Sequence, residues 1–301
     1  MRSATLALDI GGTKIAHGLV PDDHPGEILR PGRVPSLVAE RRTLSQVAEA
    51  TRRSLADAAE LNLRITRVGV GAPGVVRDND IVYNGDTIPG WAGTDVVGTI
   101  ATLTGTPVAC HNDVRVWAFG EHLLGAGQHL GGGRVLYLSL GTGVGGAIVD
   151  KHQLLSGPTG SAGESAHFVC ADLDGHAVGC ETSASGTGLT RYYNERSGAA
   201  PLELPEIIAL ARGGDRLATD VIEGNLAGFG RAIGALVTLL DLSAVVLGGG
   251  VGAIGDFIRE PFARGLRHGS LPVNADVPVY TTTLGPTAPL VAAAAYARSK
   301  E

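Results

Sequence analysis

Two stretches of this sequence share one plan, and that plan limits the folds open to the chain. LALDIGGTKIAHGLV (Leu6–Val20) and LYLSLGTGVGGAIV (Leu136–Val149) each read as an apolar run, a turn of small residues and a second apolar run. Apolar runs flanking glycine turns are β-hairpins. Thr5–Asp9 and Lys14–Val20 enclose Gly11-Gly12, and Val135–Leu140 and Val144–Val149 enclose Gly141-Thr142-Gly143. Each hairpin is followed by alternating strand and helix signals, which predicts an internal duplication of architecture: two α/β lobes with a cleft between them.

The elements that follow fit this plan. Ser45–Leu61 carries Val47, Ala48, Leu55, Ala58 and Leu61 at helical spacing. A strand at Val68–Val70 runs into Gly71-Ala72-Pro73-Gly74, and Pro107–Cys110 is a buried-type strand entering a helix from Val114 to Leu124. In the second half, Val221–Leu240 is a long helix with small residues on several faces. It precedes a strand at Ser243–Leu247, a helix at Ala253–Arg267, a strand at Val277–Leu284 and an Ala-rich closing helix at Pro286–Arg298. The expected lobes are residues 1–113, with residues 286–301 packing back on them, and residues 114–285.

Composition narrows the function. Glycine reaches 45 of 301 residues, about twice the usual ~7%, in clusters suited to tight turns and with no collagen period. A net charge of −6 argues against a broad nucleic-acid or anionic-membrane surface, so neither is an expected partner. No apolar run approaches the ~20 residues of a membrane span, the N-terminal residues do not read as a signal peptide, and three scattered Cys make no disulfide framework. A cytoplasmic location is expected.

Both glycine turns suit phosphate. Glycine allows close backbone approach and leaves N–H donors accessible. Around the first turn, Gly11, Gly12 and Thr13 are candidate phosphate contacts, Lys14 a nearby cation, and Asp9 a carboxylate able to orient water on Mg²⁺. Gly141, Thr142 and Gly143 repeat the logic. Gly248-Gly249-Gly250 stands between strand and helix, where it would cover an adenine or ribose or serve as a plain βα turn. None of these is a Walker or dinucleotide fingerprint. His111-Asn112-Asp113 sits at the carboxyl end of a strand, where ligands of α/β sheets bind. Asp113 reads either as an N-cap or as the base that receives a sugar hydroxyl's proton during phosphoryl transfer.

Taken together, LALDIGGTKIAHGLV, GVGAPGVV, IPGW, HNDVRVWAFGE, LSLGTGVGGAIV, GESAH, ETSASG and VVLGGGV resemble the ROK family of sugar kinases, in the family's order and over nearly the whole chain. The resemblance implies an α/β, two-lobe actin-like (ribonuclease H-like) ATPase fold with an interlobe cleft, and an ATP- and Mg²⁺-dependent hexose kinase, as a homodimer. Asp113 falls on the catalytic base. Asn112, Glu164, His167 and Glu181 fall on sugar-contacting positions. The expected acceptor is the 6-hydroxyl of glucose or of an amino sugar such as kanosamine. N-acetylhexosamine, fructose and a non-catalytic sugar-binding regulator are the alternatives. A DNA-binding repressor is disfavoured, since the hairpin begins at Thr5.

Two departures stand out. Family members carry a structural zinc on one His and three Cys, whereas this chain shortens the run to DGHAVGCE. His167, Cys170, His176 and Cys180 would form a substitute Cys₂His₂ set, or the segment is only a polar loop. Thr87 in TIPGW replaces a family Asn, which marks either a modified hexose or a neutral change.

Overall fold

The computed structural model describes residues 2–37, 43–83 and 88–300. In chain order the elements are β1 (Arg2–Ile10), β2 (Lys14–Pro21), β3 (Leu29–Pro35), α1 (Thr43–Glu60), β4 (Leu63–Ala72), β5 (Val75–Arg77), β6 (Asp80–Tyr83), α2 (Val96–Thr104), β7 (Val108–Asn112) and α3 (Asp113–Leu124). There follow β8 (Arg134–Leu140), β9 (Val144–Asp150), β10 (Gln153–Leu154), β11 (Val169–Ala171), β12 (Ala177–Gly179), α4 (Cys180–Ala184), α5 (Gly186–Ser197), α6 (Leu204–Arg212) and α7 (Arg216–Leu240). The chain closes with β13 (Ala244–Gly248), α8 (Gly249–Gly252), α9 (Asp256–Gly269), β14 (Val279–Thr281) and α10 (Ala288–Arg298).

Two compact units result. The first holds Met1–Gln128, Ser156–Ala162 and Leu284–Glu301, and the second His129–Leu155 and Gly163–Thr283. The division thus lies after α3, where the sequence reading put it at Asp113. Helix α3 stays with the first unit because Gly120 lets it press directly against Ala292 of α10.

The sheets repeat one topology. In the first, the strand order is β3-β2-β1-β4-β7; in the second it is β10-β9-β8-β13-β14. In each, a three-stranded antiparallel meander is extended by two parallel strands. Both hairpins read from the sequence are therefore the same structural part, β1–β2 and β8–β9.

Register brings the strand ends together. Asp9 pairs with Gly71, and Gly71 with His111, so the carboxyl ends of β1, β4 and β7 lie abreast. In the second sheet Ser139 pairs with Gly248, and Leu247 with Thr281. A strand was expected over Val277–Leu284; only Val279–Thr281 pairs, because β14 is an edge with a single neighbour, β13.

Each unit has its own apolar core. Leu6, Leu8, Ile10, Ile15, Val70 and Trp91 belong to the first. Leu138, Leu140, Phe229, Leu247 and Phe262 belong to the second. The small residues of α7 face α9: a Cβ on Gly230 would run into the Phe262 carbonyl, so the two helices pack at backbone distance. Side-chain caps fix several helix starts, including Asp215 on α7 (to Ala218 N–H, 2.8 Å) and Ser185 on α5 (to Gly188 N–H, 2.9 Å).

Candidate active site

Asp113 opens α3 at the end of β7. It is not the N-cap. Asn112 takes that part, its Oδ1 accepting from Arg115 N–H at 3.1 Å. Asp113 Oδ1 instead accepts from Asn112 Nδ2 and from Val114 N–H, both at 2.9 Å. Asn112 Nδ2 also donates to Gly74 O at 3.0 Å. Both amide hydrogens are thereby engaged, and what Asn112 retains for a ligand is acceptor capacity. The backbone angles explain the choice: φ −54° and ψ 140° at residue 112 aim its side chain across the first helical turn, as capping requires.

His111 supports this arrangement from behind. Its Nδ1 accepts from Asn112 N–H at 2.8 Å and its Nε2 lies 3.2 Å from Ser156 Oγ. Burial, aided by the charges of Arg115 and Lys300, lowers its pKa to about 4, so the ring is neutral at physiological pH. Arg115 is fully buried and donates to Ala162 O, so the segment Ser156–Ala162 is tied at both ends to residues flanking Asn112-Asp113.

Asp9 is the penultimate residue of β1, beside the first glycine turn. Burial raises its pKa to about 6, with Lys14 opposing the shift. In the turn, Gly11 N–H bonds Lys14 O at 2.9 Å, and Ser36 holds the carbonyls of Gly11 and Thr13 through Oγ and N–H. Among the described residues, the N–H groups of Gly12 and Thr13 find no acceptor, which suits an incoming anion. Gly71 lies between the two acids: a Cβ there would stand 3.4 Å from Asp9 Oδ1 and 3.4 Å from Asp113 Cα. The IPGW motif buttresses the same region, since buried Trp91 donates its indole N–H to Pro73 O at 3.1 Å. Thr87 lies outside the described residues.

In the second unit, the Gly141–Gly143 turn is stitched to α5. Gly186 N–H donates to Gly141 O at 2.7 Å, and Thr187 Oγ1 to Thr142 O at 2.9 Å. Val144 N–H donates to Glu181 Oε2 at 2.9 Å, which couples a sugar-binding candidate to the second glycine turn. Backbone bonds from Cys180 N to Phe168 O (2.7 Å) and from Glu181 N to Ala166 O (3.2 Å) draw GESAH alongside Glu181. Glu164, His167 and Glu181 are exposed, so this unit gathers three sugar-binding candidates.

Beside the turn lies a cavity of ≈ 960 Å³ lined by Thr142, Thr187, Leu204, Ile208, Arg212 and Gly250, among others. Gly249 is in the left-handed region (φ +74°) under the Leu140 carbonyl, a geometry that favours glycine. Of the third glycine cluster only Gly250 reaches the cavity wall. Sequence reasoning missed α5 and α6 as parts of this wall. The one available signal was the run Ser185-Gly186-Thr187-Gly188, another small-residue turn at a helix start.

The four proposed zinc ligands do not converge. Cys170 and Cys180 hydrogen-bond each other, which holds the Cys170 thiol down at about 7 and, with burial, pushes Cys180 up. Cys170 Sγ also lies 3.2 Å from Ser183 Oγ. His176 sits exposed in the β11–β12 turn, 3.5 Å from Asp172. Among the described residues, the metal-type side chains that come within reach of one another are Asp172, Asp174 and His176. The shortened DGHAVGCE run places His176 across a hairpin turn from the thiols, and a shared tetrahedral set is not formed.

Comparison with known proteins supplies the family. A family profile described as the ROK family matches residues 5–300. The chain is similar to a glucokinase of Streptomyces coelicolor, 32% identical over 324 aligned positions covering 99% of this chain and 98% of the relative. It is 32% identical to an N-acetylmannosamine kinase of Escherichia coli over 82% of this chain and 83% of that one. Its fold matches the crystal structure of a ROK glucokinase from Streptomyces griseus in complex with glucose and AMPPNP, with a TM-score of 0.80, 30% identity, and coverage of 98% and 99% of the two chains. With the duplicated sheet topology and a family match spanning nearly every residue, the chain belongs to the ROK family.

Proposed function

We propose that this protein, a sugar kinase of the ROK family, transfers the γ-phosphoryl group of ATP to a hexose, at the 6-hydroxyl of glucose or of a close analogue such as kanosamine. The observation that carries the reading is Asp113: a carboxylate at the carboxyl end of β7, oriented through one oxygen by Asn112 Nδ2 and Val114 N–H. In a loose transition state the hydroxyl proton leaves late, so the acid's work is to align the attacking oxygen and then accept that proton.

The glycine turns bind phosphate, the first through the amides of Gly12 and Thr13, which lack an acceptor among the described residues, and Gly141–Gly143 through a turn stitched to α5. The ≈ 960 Å³ cavity beside the second turn takes the nucleoside against Leu204, Pro205 and Ile208. Asp9 fits a cation: its carboxyl is held near pKa 6 by burial with only Lys14 opposing, so positive charge there favours the ionised form. Mg²⁺, when bound, supplies neutralisation of phosphate charge. Glu164, His167 and Glu181 bind sugar hydroxyls, and Asn112 accepts from one through Oδ1. Unpaired polar groups in such a site disfavour sugars that lack the matching hydroxyl.

A coupled ADP-release assay tests this directly, using ATP with glucose, kanosamine, mannose, fructose and N-acetylmannosamine. Turnover with at least one hexose at millimolar concentration or below is expected, with glucose or kanosamine preferred. Preference for N-acetylmannosamine would move the acceptor to the acetylated sugars, and no sugar-dependent ADP release from any would sink the kinase reading.

A further inference from the structure

The first unit contains a second cavity, apart from the residues assigned above to phosphate and sugar. It measures ≈ 650 Å³ and runs beside β7, the outer strand of its sheet. That volume lies within the ~300–1,000 Å³ of small-molecule sites.

The charge on its wall is lopsided: Arg67, Arg77 and Lys300 against one acid, Asp78. Arg67 is answered by Asp22 at 3.1 Å. Arg77 and Lys300 have no carboxylate partner among the described residues, and Lys300 rests 4.8 Å over the Tyr296 ring. Ser156 adds a directed donor. Because His111 Nδ1 accepts from Asn112 N–H, the ring proton is on Nε2 and is given to Ser156 Oγ, so the hydroxyl hydrogen of Ser156 points elsewhere. Two uncompensated cations and a hydroxyl donor on one wall match a phosphate group with hydroxyls close by.

The same imidazole links the wall to the reaction site. His111 lines the cavity, and its Nδ1 takes the amide hydrogen of Asn112, the residue that orients Asp113. We propose that this cavity binds a sugar-sized phosphate monoester, and that its occupancy is felt at Asn112-Asp113 through His111. The second half rests on the kinase reading above; the first half does not.

Calorimetric titration with glucose 6-phosphate and with inorganic phosphate, in the presence of saturating AMPPNP, tests binding. The wild-type protein should take up one more equivalent of the ester than the double variant Arg77→Gln/Lys300→Gln, or bind it at least tenfold more tightly, with inorganic phosphate weaker than the ester. Both substitutions are at chain positions outside either apolar core, and matching thermal melts would verify folding. Equal stoichiometry and affinity in the two proteins overturns the site. For the coupling, kcat at saturating ATP and acceptor sugar should change at least threefold as the ester fills the cavity in the wild type. The double variant should keep its basal kcat and lose that response. Binding without any change in kcat overturns the coupling. Failure of the kinase reading would appear separately, as absent turnover in both proteins with the binding difference still measurable.

Discussion

Asn112 donates its side-chain amide to Asp113 Oδ1 at 2.9 Å while its own Oδ1 caps α3 through Arg115 N–H. One residue therefore starts the helix and aims the acid on its first position. Asn112→Ala should lose both contributions. Cap removal costs about 1 kcal/mol, a fall in Tm of about 2–4 °C for a domain of this size. Loss of aim should lower kcat by roughly 10²-fold. A thermal melt beside steady-state kinetics separates the two effects; a variant with reduced Tm and unchanged kcat would show that Asn112 is only a cap.

Two glycines of β4 predict opposite outcomes. A Cβ on Gly69 would run into the Ala293 carbonyl of α10, so Gly69→Ala should destabilise the first unit by about 1–3 kcal/mol or more. A Cβ on Gly71 meets Asp9 and Asp113 at ordinary contact distance, 3.4 Å. Gly71→Ala should melt within about 2 °C of the parent, since a contact-distance methyl costs little. It should nonetheless lose more than tenfold in kcat/KM, because it sets a methyl against the Asp9 carboxylate and the Cα and Cβ of Asp113. Melting curves and kinetics on the pair give the comparison.

Asp9 has an inverted pH signature. Its folded pKa, about 6, exceeds the ordinary 3.8 because burial penalises the ion. The folded state thus binds the proton more tightly than the unfolded chain, and this favourable contribution is present below about pH 4 and is lost as pH rises through about 6. Asp9→Asn should therefore raise Tm at pH 7.5 and leave it nearly unchanged at pH 4, while impairing ATP turnover. A Tm gain that is the same at both pH values would contradict the assignment.

Much of this was legible in the sequence, for identifiable reasons. The hairpins around Gly11-Gly12 and Gly141–Gly143 stand out because strands flanking small-residue turns leave a period and a punctuation. The position of His111-Asn112-Asp113 follows from the strand that precedes it. Other features depended on contacts between distant segments. The cap fell to Asn112 and not Asp113, a one-residue shift decided by backbone angles. The bond from Val144 N–H to Glu181 spans 37 positions. Arg115 is buried because Ala162, 47 positions on, offers it a carbonyl. The Cys and His of residues 167–180 have the composition of a zinc site, but the hairpin β11–β12 sets His176 apart from the paired thiols.

In the second unit, the carboxylate of Glu181 occupies the space beside Gly143 that a side chain would need. Gly143→Ala should displace Glu181 and loosen the turn together, raising KM for sugar and for ATP by about tenfold each, equivalent to ~1.4 kcal/mol apiece. A change confined to the ATP KM would mean that Glu181 does not touch the sugar.

The central claim is that Asp113 is the base in phosphoryl transfer. Asp113→Asn keeps the volume and removes the proton acceptor, so the decisive measurement is its kcat alongside sugar affinity by calorimetry. The account predicts a loss of kcat of at least ~10²–10⁴-fold, with sugar Kd within a few-fold of the parent. Turnover within tenfold of the parent, in a variant that binds sugar normally, would contradict it.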